Sequence, residues 1–275
     1  MLASKDRIGI LKIKAFVLLL CFIFNTFPAS ALASAEEVII DTGAIKRGIV
    51  DIAYRSDSPE KVKVVIQKDS QRYTYDLRTD GSYKSFPLQM GNGDYTVSVL
   101  QNTQGTKYKY LKTEHVSLAL QDQSSLYLNS IQNIDYGSGL VADKAEELTQ
   151  GFTTDEAKVE AIYNYIVDNC SYDYDKMRTV QTGYIPDTDD TLFTKKGICY
   201  DYASLFASMT RSVGIPCKLV KGYADNVNGY HAWNEVDLNG EWMVIDTTSD
   251  MQRRAAHKTY TMEKPAASYS KTYEY

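Results

Sequence analysis

The chain has 275 residues, 24% of them charged, and a formal net charge of −5. Residues 1–35 hold four basic residues and one acid, so the remainder stands at −8. That remainder has no basic tract, which argues against nucleic acid and anionic membranes as partners.

The first thirty-five residues read as an export signal. Lys5, Arg7, Lys12 and Lys14 form a basic start, Ala15 to Phe24 is an apolar run, and Ala33-Ser34-Ala35 offers a small-residue cleavage site. The run is short of the roughly 20 residues of an ordinary spanning helix. Cleavage before Glu36 is expected, with an uncleaved anchor as the alternative. Leu18-Leu19-Leu20 before Cys21 lacks the small residue that lipid modification uses.

Residues 36–125 predict a small antiparallel β-sandwich of immunoglobulin-like type. Alternating segments fall at Val62–Ile66, Tyr73–Leu77, Asp94–Leu100 and Lys107–Leu111, with turn signals at Ser58-Pro59, Asp80-Gly81, Gly91-Asn92-Gly93 and Gln104-Gly105. Residues 126–275 are assigned to a second, α+β domain. Ala142–Leu148 reads as a helix. Thr153-Thr154-Asp155-Glu156 is a capping box, and Val159, Ile162, Tyr163 and Ile166 share a helical face. A polar loop, Tyr184–Asp190, follows. The tail Ser268–Tyr275 alternates polar and aromatic residues and predicts an edge strand. The 22 tyrosines suit half-buried strands better than a row of exposed sugar-binding rings.

Three residues carry the chemistry. Tyr202, Leu205, Phe206, Met209 and Val213 fall at helical spacing before Gly214, so Cys199 lies at the start of a helix. Unpaired N–H groups there favour an anion such as a thiolate, and can hold the oxyanion of a tetrahedral intermediate. Asn239-Gly240 predicts a two-residue hairpin between Tyr230–Leu238 and Glu241–Thr247. If Leu238 pairs with Glu241, Trp233 pairs with Asp246, and His231 becomes the diagonal neighbour of Asp246 on the same face. A one-residue slip would separate the two. His115 and His257 have no such frame. A thiol, an imidazole and a carboxylate in this order are the parts of a nucleophilic acyl-transfer site.

These residues resemble the transglutaminase-like superfamily of papain-type Cys-His-Asp thiol enzymes. The resemblance rests on Gly197-Ile198-Cys199-Tyr200-Asp201-Tyr202-Ala203, Gly214-Ile215-Pro216-Cys217, Val220-Lys221-Gly222-Tyr223, Tyr230-His231-Ala232-Trp233-Asn234-Glu235-Val236 and Ile245-Asp246-Thr247-Thr248. It covers roughly residues 140–250, and Asp246-Thr247-Thr248 departs from the Asp-Pro-Thr of many members. By the match Cys199 is the nucleophile, His231 the base and acid, and Asp246 the orienter. Tyr172 is the candidate second oxyanion donor.

The resemblance implies a secreted, bacterial-type enzyme acting on amide bonds of peptides or proteins. Hydrolysis is favoured over glutamine transamidation, and a non-catalytic surface binding module is the third reading. Cell-wall peptide and surface protein are both open as substrates. No metal-ligand spacing and no phosphate loop is present, so no cofactor is expected. Cys170, Cys199 and Cys217 remain after the signal, too few for a disulfide scaffold, with a Cys170–Cys217 pair left open.

Overall fold

Alternation of apolar and polar residues sets the first seven strands of the chain. The computed structural model describes residues 37–275; the expected export signal lies outside the described residues. The strands are β1 (Ile39–Asp41), β2 (Ile49–Ala53), β3 (Val62–Lys68), β4 (Gln71–Asp76), β5 (Lys84–Pro87), β6 (Gly93–Gln104) and β7 (Lys107–Leu118). They form two antiparallel sheets, ordered β1-β2-β5 and β4-β3-β6-β7. Ile52 and Phe86 from the first and Val64, Ile66 and Val97 from the second are fully buried in one core. Two sheets facing a shared core are compatible with the expected sandwich.

After Gly139 the period changes to helical. The helices and short strands are α1 (Leu140–Thr149), α2 (Asp155–Asn169), β8 (Ser171–Tyr172), α3 (Tyr174–Thr179), α4 (Thr188–Thr194), β9 (Lys196–Gly197) and α5 (Cys199–Ser212). The cap of α2 is Thr154, one residue later than the capping box Thr153–Glu156 places it, and it accepts from the Ala157 N–H at 3.3 Å. The α2 face Val159, Ile162, Tyr163 and Ile166 is buried. Every residue of α5 from Asp201 to Arg211 is buried, because the helix packs against α1 and α2 as well as against the next sheet. A helix apolar on most sides belongs in such a central position.

That sheet contains β10 (Cys217–Ala224), β11 (His231–Leu238), β12 (Glu241–Ile245), β13 (Glu263–Lys264) and β14 (Tyr269–Glu274), with α6 (Thr247–Ala255) between β12 and β13. Its order is β13-β12-β11-β10-β14, all antiparallel. The β11–β12 hairpin has the counted register, Leu238 opposite Glu241. Asn239 and Gly240 both take positive φ, 59° and 87°, which is the turn the dipeptide favours. The tail is an edge strand on β10. It reaches β10 through a bulge at Lys221/Gly222, and a Cβ on Gly222 would stand 2.0 Å from the Ser270 carbonyl oxygen. Only glycine allows that approach.

The last strand is also clasped by β4. Tyr73 meets Tyr273 and Tyr275 edge-on at 5.5 and 5.8 Å, Tyr75 meets Tyr275 at 5.7 Å, and the Gln89 amide donates to the Glu274 carbonyl at 3.3 Å. One cluster of buried apolar side chains runs from Val38 to Tyr275. The fold class is α+β, with mixed helices and antiparallel sheets. Among the described residues no helix is long and apolar enough to cross a membrane.

Candidate active site

Cys199 is the first residue of α5, half-buried and free. Ile198 precedes it in an extended conformation, and the Asp201 carboxylate reaches back to accept the Ile198 N–H at 2.8 Å. That carboxylate is fully buried. It also accepts from Lys176 at 2.8 Å and from the Tyr184 hydroxyl at 2.6 Å. The N-terminus of α5 is therefore pinned by three donors from three segments, and the thiol is held on a fixed scaffold.

His231 opens β11, and Asp246 follows β12 as the N-cap of α6. The counted register brings them together. The imidazole Nε2 donates to Asp246 Oδ2 at 2.8 Å, which leaves Nδ1 for Cys199, a residue that lines the same cleft as the ring. Asp246 is fully buried. Its Oδ1 accepts from the Ser249 N–H at 2.9 Å, and its Oδ2 takes a further bond from the Tyr269 hydroxyl at 2.9 Å. Burial alone would push the His231 imidazole down, but hydrogen bonds and charge from Asp246 and Cys199 outweigh it and raise the ring to about 10. The protonated imidazole is thus the stable form beside these two groups.

The imidazole lies nearly parallel to the Trp233 ring, 6.3 Å between centroids, and Trp233 in turn packs on Tyr269 at 5.0 Å. Tyr269 therefore serves twice, as a wall for the indole and as a donor to Asp246. Tyr269→Phe keeps the wall and removes the donor. We expect about a tenfold fall in kcat with KM little changed, in line with a hydrogen bond to a charged group of about 1.5–3 kcal/mol. A loss confined to KM would show that Tyr269 binds substrate instead.

Cys199 and His231 open onto a cleft of about 490 Å³. Tyr172, Tyr174 and Tyr230 line it, as do Arg253 and Lys258, and no carboxylate does. Tyr172 stands on β8, beside the thiol. Burial first, then the neighbouring Cys199, raises its phenol to about 12, so it stays a hydrogen-bond donor. His115 and His257 stand outside the cleft: His115 lies on β7 against Thr96 Oγ1 at 3.2 Å, and His257 sits in a turn with φ 54°. Among the described residues no group of three or more His, Cys, Asp or Glu could hold a metal ion. All three described cysteines are free.

Several supporting residues were not visible in the sequence. The Asp201 clamp uses Lys176, in a stretch to which the sequence assigns no element, and Tyr184, at the start of the polar loop Tyr184–Asp190. Asp250, on α6, is fully buried and receives the Tyr163 hydroxyl at 2.8 Å and Lys264 at 2.6 Å. It ties α6, and so the Asp246 cap, to α2 and β13. The alternating tail was the only sequence signal for Tyr269, and it gave the strand without its partner.

Residues 142–247 match the family described as the Transglutaminase-like superfamily. The human Kyphoscoliosis peptidase is 32% identical over 141 residues, which are 45% of this chain and 21% of that protein. Its mouse counterpart is 32% identical over 130 residues, 43% of this chain and 19% of that protein. The chain thus spans about a fifth of the length of these curated relatives. Among solved structures, the periplasmic domain of TgpA from Pseudomonas aeruginosa is 19% identical with a TM-score of 0.39, covering 75% of this chain and 74% of that one.

Proposed function

We propose, starting from a chain whose residues 142–247 belong to the transglutaminase-like superfamily, that this protein is an exported thiol enzyme acting on amide bonds of peptides or proteins. The observation that carries the reading is that Cys199 and His231 open onto one cleft, with His231 hydrogen-bonded to the buried Asp246. The Cys199 sulfur attacks the amide carbonyl carbon, and the developing oxyanion is met by N–H groups at the α5 N-terminus and by the Tyr172 hydroxyl. The His231 imidazolium gives its proton to the leaving amine, which departs and leaves a thioester on Cys199. The neutral imidazole then takes a proton from the acceptor as it attacks the thioester, the C–S bond breaks, and the Cys199 sulfur leaves as thiolate beside the restored imidazolium. Asp246 holds the ring in orientation throughout.

Water as acceptor makes the protein a peptidase or amidase, and a lysine amine makes it a transamidase. Hydrolysis is favoured because water needs no binding site of its own. In this reading residues 126–275 carry the chemistry, and residues 36–125 position the enzyme or its substrate. Arg253 and Lys258, in a cleft lined by no carboxylate, suit a peptide that carries an acidic group near the scissile bond, as cell-wall peptides and acidic surface proteins both can.

The test is to incubate the protein with a library of peptide amides, with and without a primary amine, and to weigh the products. Hydrolysis adds water across one amide with or without the amine. Transamidation appears as an amine adduct. The same product spectrum from wild type and Cys199→Ala would remove the enzyme reading and leave a binding module.

A further inference from the structure

A second chamber, of about 160 Å³, lies against the Tyr200 side chain and shares no lining residue with the cleft. Its walls come from β4, the 132–133 and 183–185 segments, Tyr200 of α5, Lys221 of β10 and Tyr275. Lys221 is the unusual member. Its ammonium stands 3.4 Å from the centroid of the Tyr200 ring and 5.1 Å from that of Tyr275. Among the described residues it makes no hydrogen bond and no ion pair. An ammonium has three donors, and two ring faces satisfy none of them as an acceptor would.

A second donor in the same chamber is also unsatisfied. Asn133 is 5% exposed, and its amide nitrogen has no hydrogen-bond partner. The Tyr200 hydroxyl lies close enough to Asn133 to be influenced by its amide. Two side-chain acceptors nearby are engaged: Asp76 is ion-paired with Lys63, and the Gln132 side-chain carbonyl takes the Arg78 N–H at 3.2 Å. Buried polar groups in a native fold normally find partners, so the Asn133 amide calls for an acceptor from outside, and the half-buried Lys221 ammonium lines the same cavity with donors to spare. A guest of one negative charge answers both, and the volume admits only a few heavy atoms.

We propose that this chamber binds a small carboxylate, held between the Lys221 ammonium and the Asn133 amide. The carboxylate comes either from a free small organic acid or from the side chain or C-terminus of a bound peptide. The site does not depend on the enzyme reading, because none of its lining residues lines the cleft that holds Cys199 and His231.

The binding has a pH signature. Burial pushes Lys221 down to about 8, against the opposing charge of Cys199. The facing tyrosines Tyr75, Tyr184, Tyr200 and Tyr275 are all raised by burial and stay neutral, and Asp76 is held by Lys63. An anion needs the charged ammonium, so affinity is full below about 8 and fades as pH rises through it.

The experiment uses Cys199→Ala protein, so that neither catalysis nor the thiol contributes. Melting temperature is followed as acetate is added, against chloride at equal ionic strength, at about pH 6 and about pH 10, either side of the Lys221 value. Acetate is expected to raise Tm over chloride at the lower pH and to lose that advantage at the higher one. Lys221→Met should weaken acetate binding at least about tenfold, as loss of a charge-assisted hydrogen bond does. Asn133→Ala should weaken it less, and it tests the site should Lys221→Met fold poorly. No acetate effect beyond chloride at the lower pH, or equal binding in both variants and the parent, would overturn the proposal. Free-acid peptides that compete with acetate, where their amides do not, identify a peptide carboxylate as the source. Competition by neither identifies a free acid.

Discussion

Cys199→Ala is expected to abolish turnover while Tm stays close to that of the parent, and His231→Ala to lower kcat/KM by about 10²–10⁴-fold. The thiol is half-buried at a helix start and caps nothing, so its removal leaves the α5 clamp through Asp201 in place. The other two thiols serve as internal controls. Burial raises Cys170 to about 11 and Cys217 to about 12, so both stay protonated near neutral pH and react slowly. Alkylation at neutral pH should therefore mark Cys199 first, and equal labelling of all three would remove the nucleophile reading. His231 adds a stability signature. Its folded value of about 10 lies above the ordinary imidazole value of about 6.5. A group raised in the folded state stabilises fully below the unfolded value and loses that contribution as pH rises through the folded one. The Tm difference between the parent and His231→Gln should thus be largest below about pH 6.5 and shrink toward about pH 10. A difference that grows over that interval would show that the ring is buried neutral.

The parts of the site that were legible in the sequence share one property: they depend on local periodicity and counting. The α5 face and the Asn239-Gly240 turn both follow from spacing, and the turn fixes the register that brings His231 to Asp246. A turn of two residues leaves no freedom in the pairing, so a long-range contact could be read from a short-range signal. The family resemblance added the roles, which spacing alone does not assign. What stayed hidden needs contacts between distant segments. Lys176 and Tyr184 meet Asp201 only because α3 and the 181–185 stretch fold over the α5 N-terminus. Asp246 was read as the end of a strand, yet it also starts α6, a helix whose polar sequence, Thr247 to Ala255, carries almost no apolar stripe. Its N-terminal residues are buried where α6 packs against α2 and α5, so tertiary packing set the element where propensity did not. The clasp of Tyr73 and Tyr75 on Tyr273 and Tyr275 joins residues some two hundred apart, beyond any pattern in a single sequence.

Arg211→Leu is expected to destabilise the protein by about 3–5 kcal/mol, the largest stability effect of any single side chain named above. Arg211 is buried at the end of α5, and its guanidinium reaches three backbone carbonyls at 2.8 Å each: Cys217 through Nε, Asn129 through Nη1 and Tyr275 through Nη2. Burial pushes it down to about 10, so it stays charged at neutral pH. Removing a buried ion pair together with its partner is often neutral, because both desolvation costs vanish. Here the partners are backbone oxygens that no substitution removes. Leucine leaves them facing an apolar side chain, at about 1–3 kcal/mol for each one that finds no water. Lysine keeps the charge but has a single nitrogen that cannot reach three directions, so Arg211→Lys should recover less than half of the loss. The Tyr275 contact links this stability term to the site. It anchors the end of β14, and β14 carries Tyr269 to Asp246. Amide exchange along Tyr269–Glu274 should therefore rise in Arg211→Leu more than exchange along β11, and kcat should fall well below the unfolding range. A denaturant midpoint within about 1 kcal/mol of the parent, at unchanged m, would show that water replaces the guanidinium and that β14 is held by its tyrosine clasp alone.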